Sequence, residues 1–221
     1  MSVIDDPELK SVIDGLHAKS DGQIAALKSF ETSQAARPAT GSELKAFLSD
    51  KLVALDRDKA EFCYQLCRAI DARRIVEIGT SFGVSTLYLA AAVRDNVRDS
   101  GGTGVVIGTE HEPAKANAAR AHFEQAGLSG LIDLREGDLR DTLSGIEGPV
   151  DFMLVHIWIR MARPALELVT PHLRRGAIVI CDNTARYRAD YADYFGFLEK
   201  SGFSTMTLPF DGGLELSIRW G

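Results

Sequence analysis

The sequence predicts a doubly wound α/β fold, a mostly parallel sheet covered by helices on both faces. Three observations carry that prediction. From residue 74 onward, short and nearly continuous apolar runs alternate five times with helical segments, as strands buried on both faces and joined by crossovers do. Ahead of them, about a quarter of the chain shows helical spacing alone. Behind them, Phe203 to Leu208 and Leu214 to Arg219 flank Asp211-Gly212-Gly213, the pattern of an antiparallel hairpin at one sheet edge.

Residues 8 to 30 place Leu9, Val12, Ile13 and Leu16 at i, i+3, i+4, i+7, followed by Ile24, Leu27 and Phe30, and read as helix. A polar linker over Gln34 to Thr40 holds Arg37-Pro38. Thr40 and Glu43 form a capping box that opens a second helix with Leu44, Phe47, Leu48 and Leu52 as its stripe. Asp56 can cap a third, with Phe62, Cys63, Leu66, Cys67 and Ile70 on one face. The strands are Arg74 to Gly79, Val105 to Gly108, Leu131 to Arg135, Asp151 to His156 and Ala177 to Cys181. Between them lie helices over Ser85 to Val93, from Pro113 (a proline suited to the first helical position), over Pro164 to Leu173, and over Tyr187 to Ser201. The expected organisation is an N-terminal helical cap, residues 1–55, and one compact unit, residues 56–221, with no repeat or low-complexity tract.

Hydrophobic residues make up 45% and charged residues 25% of the 221, which excludes disordered, collagen-like and disulfide-miniprotein classes. The formal net charge is −6, unsuited to nucleic acid or an anionic membrane. No apolar run approaches the roughly 20 residues of a bilayer span, and the start lacks a signal-peptide pattern. Cys63, Cys67 and Cys181 read as core thiols of a reducing compartment, so a cytoplasmic location is expected. The G-x-S-x-G, H-E-x-x-H and C-x-x-C motifs are all missing, which removes support for hydrolase, zincin and dithiol redox chemistry.

In such sheets ligands bind at the carboxyl ends of the strands. The first strand ends in Glu77-Ile78-Gly79-Thr80-Ser81-Phe82-Gly83-Val84-Ser85-Thr86. Gly79 and Gly83 permit a tight turn and close backbone approach, and the next helix offers free N–H groups. The spacing is G-x-x-x-G, not the G-x-G-x-x-G that wraps a pyrophosphate, so a nicotinamide dehydrogenase is disfavoured. Glu77 would repel a pyrophosphate but could hold an amino-acid ammonium, which favours S-adenosylmethionine. Glu110, at the second strand end, can accept both ribose hydroxyls, and Asp138, after the third, can accept from an adenine amino group. A solvated Glu or a capping Asp is the plain alternative for each one singly; three in register at consecutive strand ends are harder to dismiss.

Val76 to Thr86, Glu110, Gly137-Asp138 and Asp182-Asn183 together resemble class I S-adenosylmethionine-dependent methyltransferases. The nearer resemblance is to small O-methyltransferases of the catechol and caffeoyl-CoA type, over about residues 55 to 221, including Leu208 to Leu216. It implies a Rossmann-like fold and an N-terminal cap over the acceptor. It also implies that Glu77, Gly79, Ser81 and Ser85 line the methionine end, Glu110 the ribose and Asp138 the adenine, with Thr80 and Gly83 as further cofactor-binding candidates. The partner is then a small-molecule acceptor, and a homodimer follows from the same likeness.

The family resembled holds a divalent metal on an Asp ending the fourth strand and an Asp-Asn pair after the fifth, and a Lys takes the acceptor proton. This chain keeps Asp182-Asn183, but Asp151 to Ile159 matches the family's Asp-…-Asp-x-Trp-Lys run with His156 in the metal Asp's place and Ile159 in the Lys's place. Trp158 stays in register. Three readings stand open. His156, Asp182 and Asn183 hold a metal such as Mg or, given the imidazole, Mn; or no metal is used and His156 is both beside the cofactor methyl and the base, poised near pH 7; or the fold binds ligand without turnover. Trp158 and Asn183 are the candidate acceptor contacts. Arg160 and Arg163 could meet an anionic acceptor but read better as solvated, and His17 on the cap is disfavoured as an acceptor group. The expectation is an O-methyltransferase for a small hydroxylated, aromatic acceptor; the alternative is a non-catalytic binder.

Overall fold

The computed structural model describes residues 4–36 and 41–221. Helices α1 (Pro7–Asp21), α2 (Ile24–Ala36), α3 (Gly41–Leu48) and α4 (Arg57–Ala69) precede β1 (Arg74–Ile78). Then follow α5 (Val84–Ser100), β2 (Val105–Glu110), α6 (Pro113–Gln125), β3 (Ile132–Glu136), α7 (Leu139–Thr142) and β4 (Val150–Val155). The chain ends with α8 (Ile159–Val169), β5 (Leu173–Asp182), α9 (Ala192–Lys200), β6 (Phe203–Leu208) and β7 (Leu214–Arg219). The sheet order is β3-β2-β1-β4-β5-β7-β6; the first five strands are parallel and β7 runs antiparallel to both neighbours. The predicted α/β fold with its edge hairpin is therefore the one observed.

Several boundaries differ, each for a local reason. The helix expected over 8–30 breaks at Gly22-Gln23, where the Gly22 N–H closes back onto Ala18 O. Asp6 caps α1 through its carboxylate, accepting from the N–H groups of Glu8 and Leu9. Thr40, Arg37 and Pro38 lie outside the described residues; α3 itself forms, and Phe30 and Phe47 stack with centroids 3.9 Å apart. Pro164 does not open its helix but lies inside α8, and 170–172 are a short 3₁₀ turn instead of its last turn. The short helix α7 has no counterpart in the periodicity.

Alternation along the strands sends side chains to two separate cores. Ile75, Val106, Phe152, Leu154, Ile178 and Ile180 face the core that also takes α1, α4 and α5. Val76, Ile78, Ile107, Met153, Val155, Val179 and Cys181 face the other, against α8 and α9. Extending that period to the strand ends puts Glu77, Glu110, His156 and Asp182 on the α4–α5 face. The three cysteines are buried and unpaired, and burial pushes their thiols far up. No helix among the described residues is long and apolar enough to cross a membrane.

Candidate functional site

The turn after β1 is built around Glu77, which is wholly buried. Its Oε1 accepts from Ser85 Oγ at 2.6 Å; its Oε2 accepts from Thr80 Oγ1 at 2.9 Å and from Thr86 Oγ1. Burial raises the Glu77 carboxyl, and these three hydroxyls and nearby His156 only partly offset the rise. With three of its four lone pairs taken, Glu77 holds the turn in shape. Gly79 sits at φ +90°, and a Cβ there would run into the His156 carbonyl oxygen. A glycine is what lets the end of β1 press on the end of β4. Gly83, at φ +85°, is the N-cap residue of α5.

Glu110, at the end of β2, accepts from Ser81 N–H at 2.7 Å through Oε2 and from Glu112 N–H at 2.7 Å through Oε1. Each oxygen retains a lone pair, so the carboxylate can still accept from two adjacent hydroxyls. Ser81 is held at φ +51°, an uncommon conformation for a residue with a side chain, and donates that bond from it. Asp138 is the N-cap of α7, accepting from Arg140 N–H at 2.9 Å, and its side chain remains well exposed.

Thr80, Ser81, Phe82, Val84, Ser85 and His156 form one wall of a narrow crevice at these strand ends. The opposite wall is Leu52-Val53-Ala54-Leu55, the strap between α3 and α4, which the sequence reading did not assign to the site. A larger cavity of about 310 Å³ lies beyond the strap, between α1 and the start of α4, lined by Asp14, His17, Asp21, Asp56 and Arg57 among others. His17 faces inward there, its Nε2 3.1 Å from Tyr88 Oη.

At the other end of the crevice, Val155 pairs with Cys181, so the next residues, His156 and Asp182, stand side by side. His156 Nε2 lies 3.8 Å from Asp182 Oδ2. Asp182 is nearly buried, and its oxygens are heavily used: Oδ1 accepts from Asn183 N–H at 2.8 Å and Lys59 Nζ at 2.8 Å, and Oδ2 accepts from Asn183 Nδ2 at 2.9 Å. Lys59, 1% exposed, also pairs with Asp56 Oδ2 at 2.7 Å. Burial pulls the Lys59 ammonium down, but the bonds from Asp182 and Asp56 more than offset it, and the net shift is upward. Asp56 occupies the predicted cap position of α4, yet its carboxylate makes no cap bond and serves Lys59 instead.

Lys59 was not singled out by the sequence, although a signal existed. Lys59, Cys63 and Cys67 recur at four-residue spacing along the buried stripe of α4, where an unpaired lysine would not be tolerated. Trp158 is 45% exposed at the N-cap of α8, whereas Ile159 packs into the α8 core. Arg163 pairs with Glu167.

A methyltransferase-domain family model matches residues 76–184, from β1 to just past β5. Catechol O-methyltransferase of Mycobacterium tuberculosis is 31% identical over 152 residues, 67% of this chain and 66% of that protein. Catechol O-methyltransferase of Niastella koreensis is 26% identical over 147 residues, 60% and 63% of the two lengths. The chain thus spans just under two thirds of each curated relative. Among solved structures, the O-methyltransferase TomG of Streptomyces achromogenes, in complex with SAM, superposes with a TM-score of 0.69 at 22% identity, over 83% of this chain and 91% of that one. An O-methyltransferase from Bacillus cereus in complex with SAH gives 0.71 at 20% identity, over 98% and 92%. Residues 76–184 thus match a methyltransferase domain, and the chain has the fold of the SAM- and SAH-bound O-methyltransferases.

The two ends of this site suit the two ligands that the resemblance implies unequally. The chemistry around the crevice suits S-adenosylmethionine: Gly79 and Gly83 flank the Thr80-Ser81-Phe82 wall, Glu110 behind Ser81 keeps free lone pairs, and Val84 and Ser85 bring the α5 N-terminus to it. The acceptor end does not fit a hard divalent cation. One of the two carboxylates expected there is His156, and the other already has three of its four lone pairs occupied. Asn183 turns its amide nitrogen, not its oxygen, toward Asp182, and the Lys59 ammonium stands where positive charge would be added. Among the described residues, no group of three or more His, Cys, Asp or Glu side chains could hold a metal ion.

Proposed function

We propose that this chain methylates a hydroxyl of a small, aromatic acceptor, with His156 taking the acceptor's proton. The observation that carries the reading is the position of His156: it closes the crevice wall next to Thr80 and Ser85 and has the Asp182 carboxylate behind its Nε2. With Nε2–H directed at Asp182, Nδ1 is left as the accepting nitrogen. The gap of 3.8 Å is longer than a hydrogen bond, as catalytic contacts commonly are before the acceptor is in place. S-adenosylmethionine, when bound, supplies a methyl already activated on its sulfonium. The chain's own tasks are therefore to position the acceptor oxygen and remove its proton. Thr80, Ser81 and Ser85 would hold the methionine end, Glu110 the ribose and Asp138 the adenine; exposed Trp158 and Asn183 would contact the acceptor. The names of the Mycobacterium tuberculosis and Niastella koreensis relatives favour a phenolic substrate.

The test is product formation from S-adenosylmethionine with a panel of phenols, catechols and hydroxamates, read as S-adenosylhomocysteine and methylated acceptor. Turnover that His156→Ala abolishes is expected; no transfer to any acceptor, with or without Mn²⁺, would sink the proposal. One observation favours a second reading, ligand binding without catalysis: Ile159 stands in the family's lysine position and cannot accept a proton at any pH. The double variant His156→Asp, Ile159→Lys separates the two, because activity that appears only in that variant means a silent native site.

A further inference from the structure

The buried lysine of α4 is the part of this site that the sequence motifs did not point to. Long charged side chains are seldom buried unless paired, and here the pairing is specific: Lys59 Nζ reaches across from α4 to Asp182 Oδ1 at 2.8 Å while Asp56 Oδ2 holds it from the surface side at 2.7 Å. Counting lone pairs on Asp182 shows what the ammonium does. Oδ1 is filled by Lys59 and the Asn183 N–H; Oδ2 is half-filled by Asn183 Nδ2, and what remains lies beside His156 Nε2. A single carboxylate is thus locked in one orientation with its last acceptor position reserved for the imidazole.

We propose that Lys59 is the resident cation of the acceptor site: its ammonium supplies beside Asp182 the positive charge that a divalent metal would otherwise bring, so that methyl transfer needs no metal. This rests on the methyltransferase reading above and adds a positioning residue to it. Lys59 acts through Asp182, which it holds in one orientation, and Asp182 in turn fixes the tautomer and direction of His156. The substitution of His for Asp at 156 and the buried lysine then belong together: with an ammonium already in place, a second carboxylate is not needed to attract a dication.

The deciding experiment is calorimetric titration of the S-adenosylmethionine-loaded protein with Mn²⁺, which reads metal binding whether or not the protein turns over. Wild type is expected to show no saturable binding into the millimolar range. The double variant Lys59→Met, His156→Asp, which removes the ammonium and restores the carboxylate, is expected to bind one Mn²⁺ per chain. In turnover, wild type should run at the same rate in EDTA as in Mg²⁺ or Mn²⁺. Lys59→Met should lower kcat about 10–100-fold, the usual cost of losing a supporting partner, with KM for S-adenosylmethionine unchanged and partial rescue by Lys59→Arg. Stoichiometric Mn²⁺ binding by wild type that disappears in Asp182→Ala would overturn the proposal, as would activity lost in EDTA and restored by Mn²⁺. Both of those measurements use wild type first, so they stand even if Lys59→Met does not fold. If no acceptor is ever methylated, the functional reading fails while the titration still decides about the cation.

Discussion

The two ends of the crevice bury carboxylates in different ways. At the β1–β2 end, Glu77 and Glu110 are satisfied by neutral donors, three hydroxyls for one and two backbone N–H groups for the other. At the β4–β5 end, Asp182 is satisfied by an ammonium and an amide, with an imidazole beside it. Hydroxyls and peptide N–H groups fix geometry without supplying net charge, so Glu77 remains a costly buried acid whose carboxyl is pushed up. An ammonium fixes geometry and balances charge together. On the proposed function, the end that would hold the already activated cofactor has the rigid arrangement, and the end where the acceptor's proton would move has the charged one.

That contrast is broken most severely by removing the group at the reacting centre. His156→Ala is expected to reduce methyl transfer by about 10²–10⁴-fold, the range for a general base, while calorimetry shows S-adenosylmethionine affinity nearly unchanged. A comparable loss of affinity would place His156 in cofactor binding instead. Next in size is Gly79→Ala, which adds a Cβ against the His156 carbonyl at φ +90°. Strain and overpacking together should lower stability by about 2–4 kcal/mol in urea unfolding.

Glu77→Gln keeps the shape and removes the charge. It should cost about 1–3 kcal/mol near neutral pH, since hydroxyl donors then face an amide. The sign of its pH dependence follows from the raised carboxyl. A carboxyl raised on folding contributes stability fully below its unfolded value of 4.5 and loses it as pH rises through the folded value. The margin of wild type over the Gln variant should therefore be wider at pH 4.5 than at pH 8; a margin that widens with pH would show Glu77 held down, not up. The smallest effect, about 1 kcal/mol in the melting curve, is expected for Ser20→Ala, which removes hydroxyl bonds to Leu52 O and Ala54 N.

The sequence carried the strand segments and the turn after β1 well, because both are local. Glu77, Gly79, Gly83 and Ser85 fall within one turn, and the hairpin limits at 203–208 and 214–219 follow from Asp211-Gly212-Gly213 with alternating neighbours. The acceptor end was legible only as a departure, His156 and Ile159 in place of Asp and Lys. Its explanation was not legible, since Lys59 and Asp182 are 123 residues apart and meet only when α4 packs on the β4–β5 face. The strap was missed for a related reason: Leu52 reads equally well as the end of an apolar helical stripe, and nothing local says that the stripe stops at Leu48. The break at Gly22 was hidden because apolar spacing resumes in register on its far side.

The strap is moored in an unusual place. Leu52 O accepts from Ser20 Oγ and Gln23 Nε2, Leu52 N–H donates to Gln23 Oε1, and Ala54 N–H donates to Ser20 Oγ. All four moorings run to two side chains at the corner between α1 and α2, and none to the sheet. A molecule entering the crevice either slides beneath the strap or lifts it, and lifting it means casting off from that corner. On the proposed function, a cofactor that lifts the strap on entry has to break the bonds to Ser20 and Gln23, so its exchange would be latched at the helical corner and not at the strand ends.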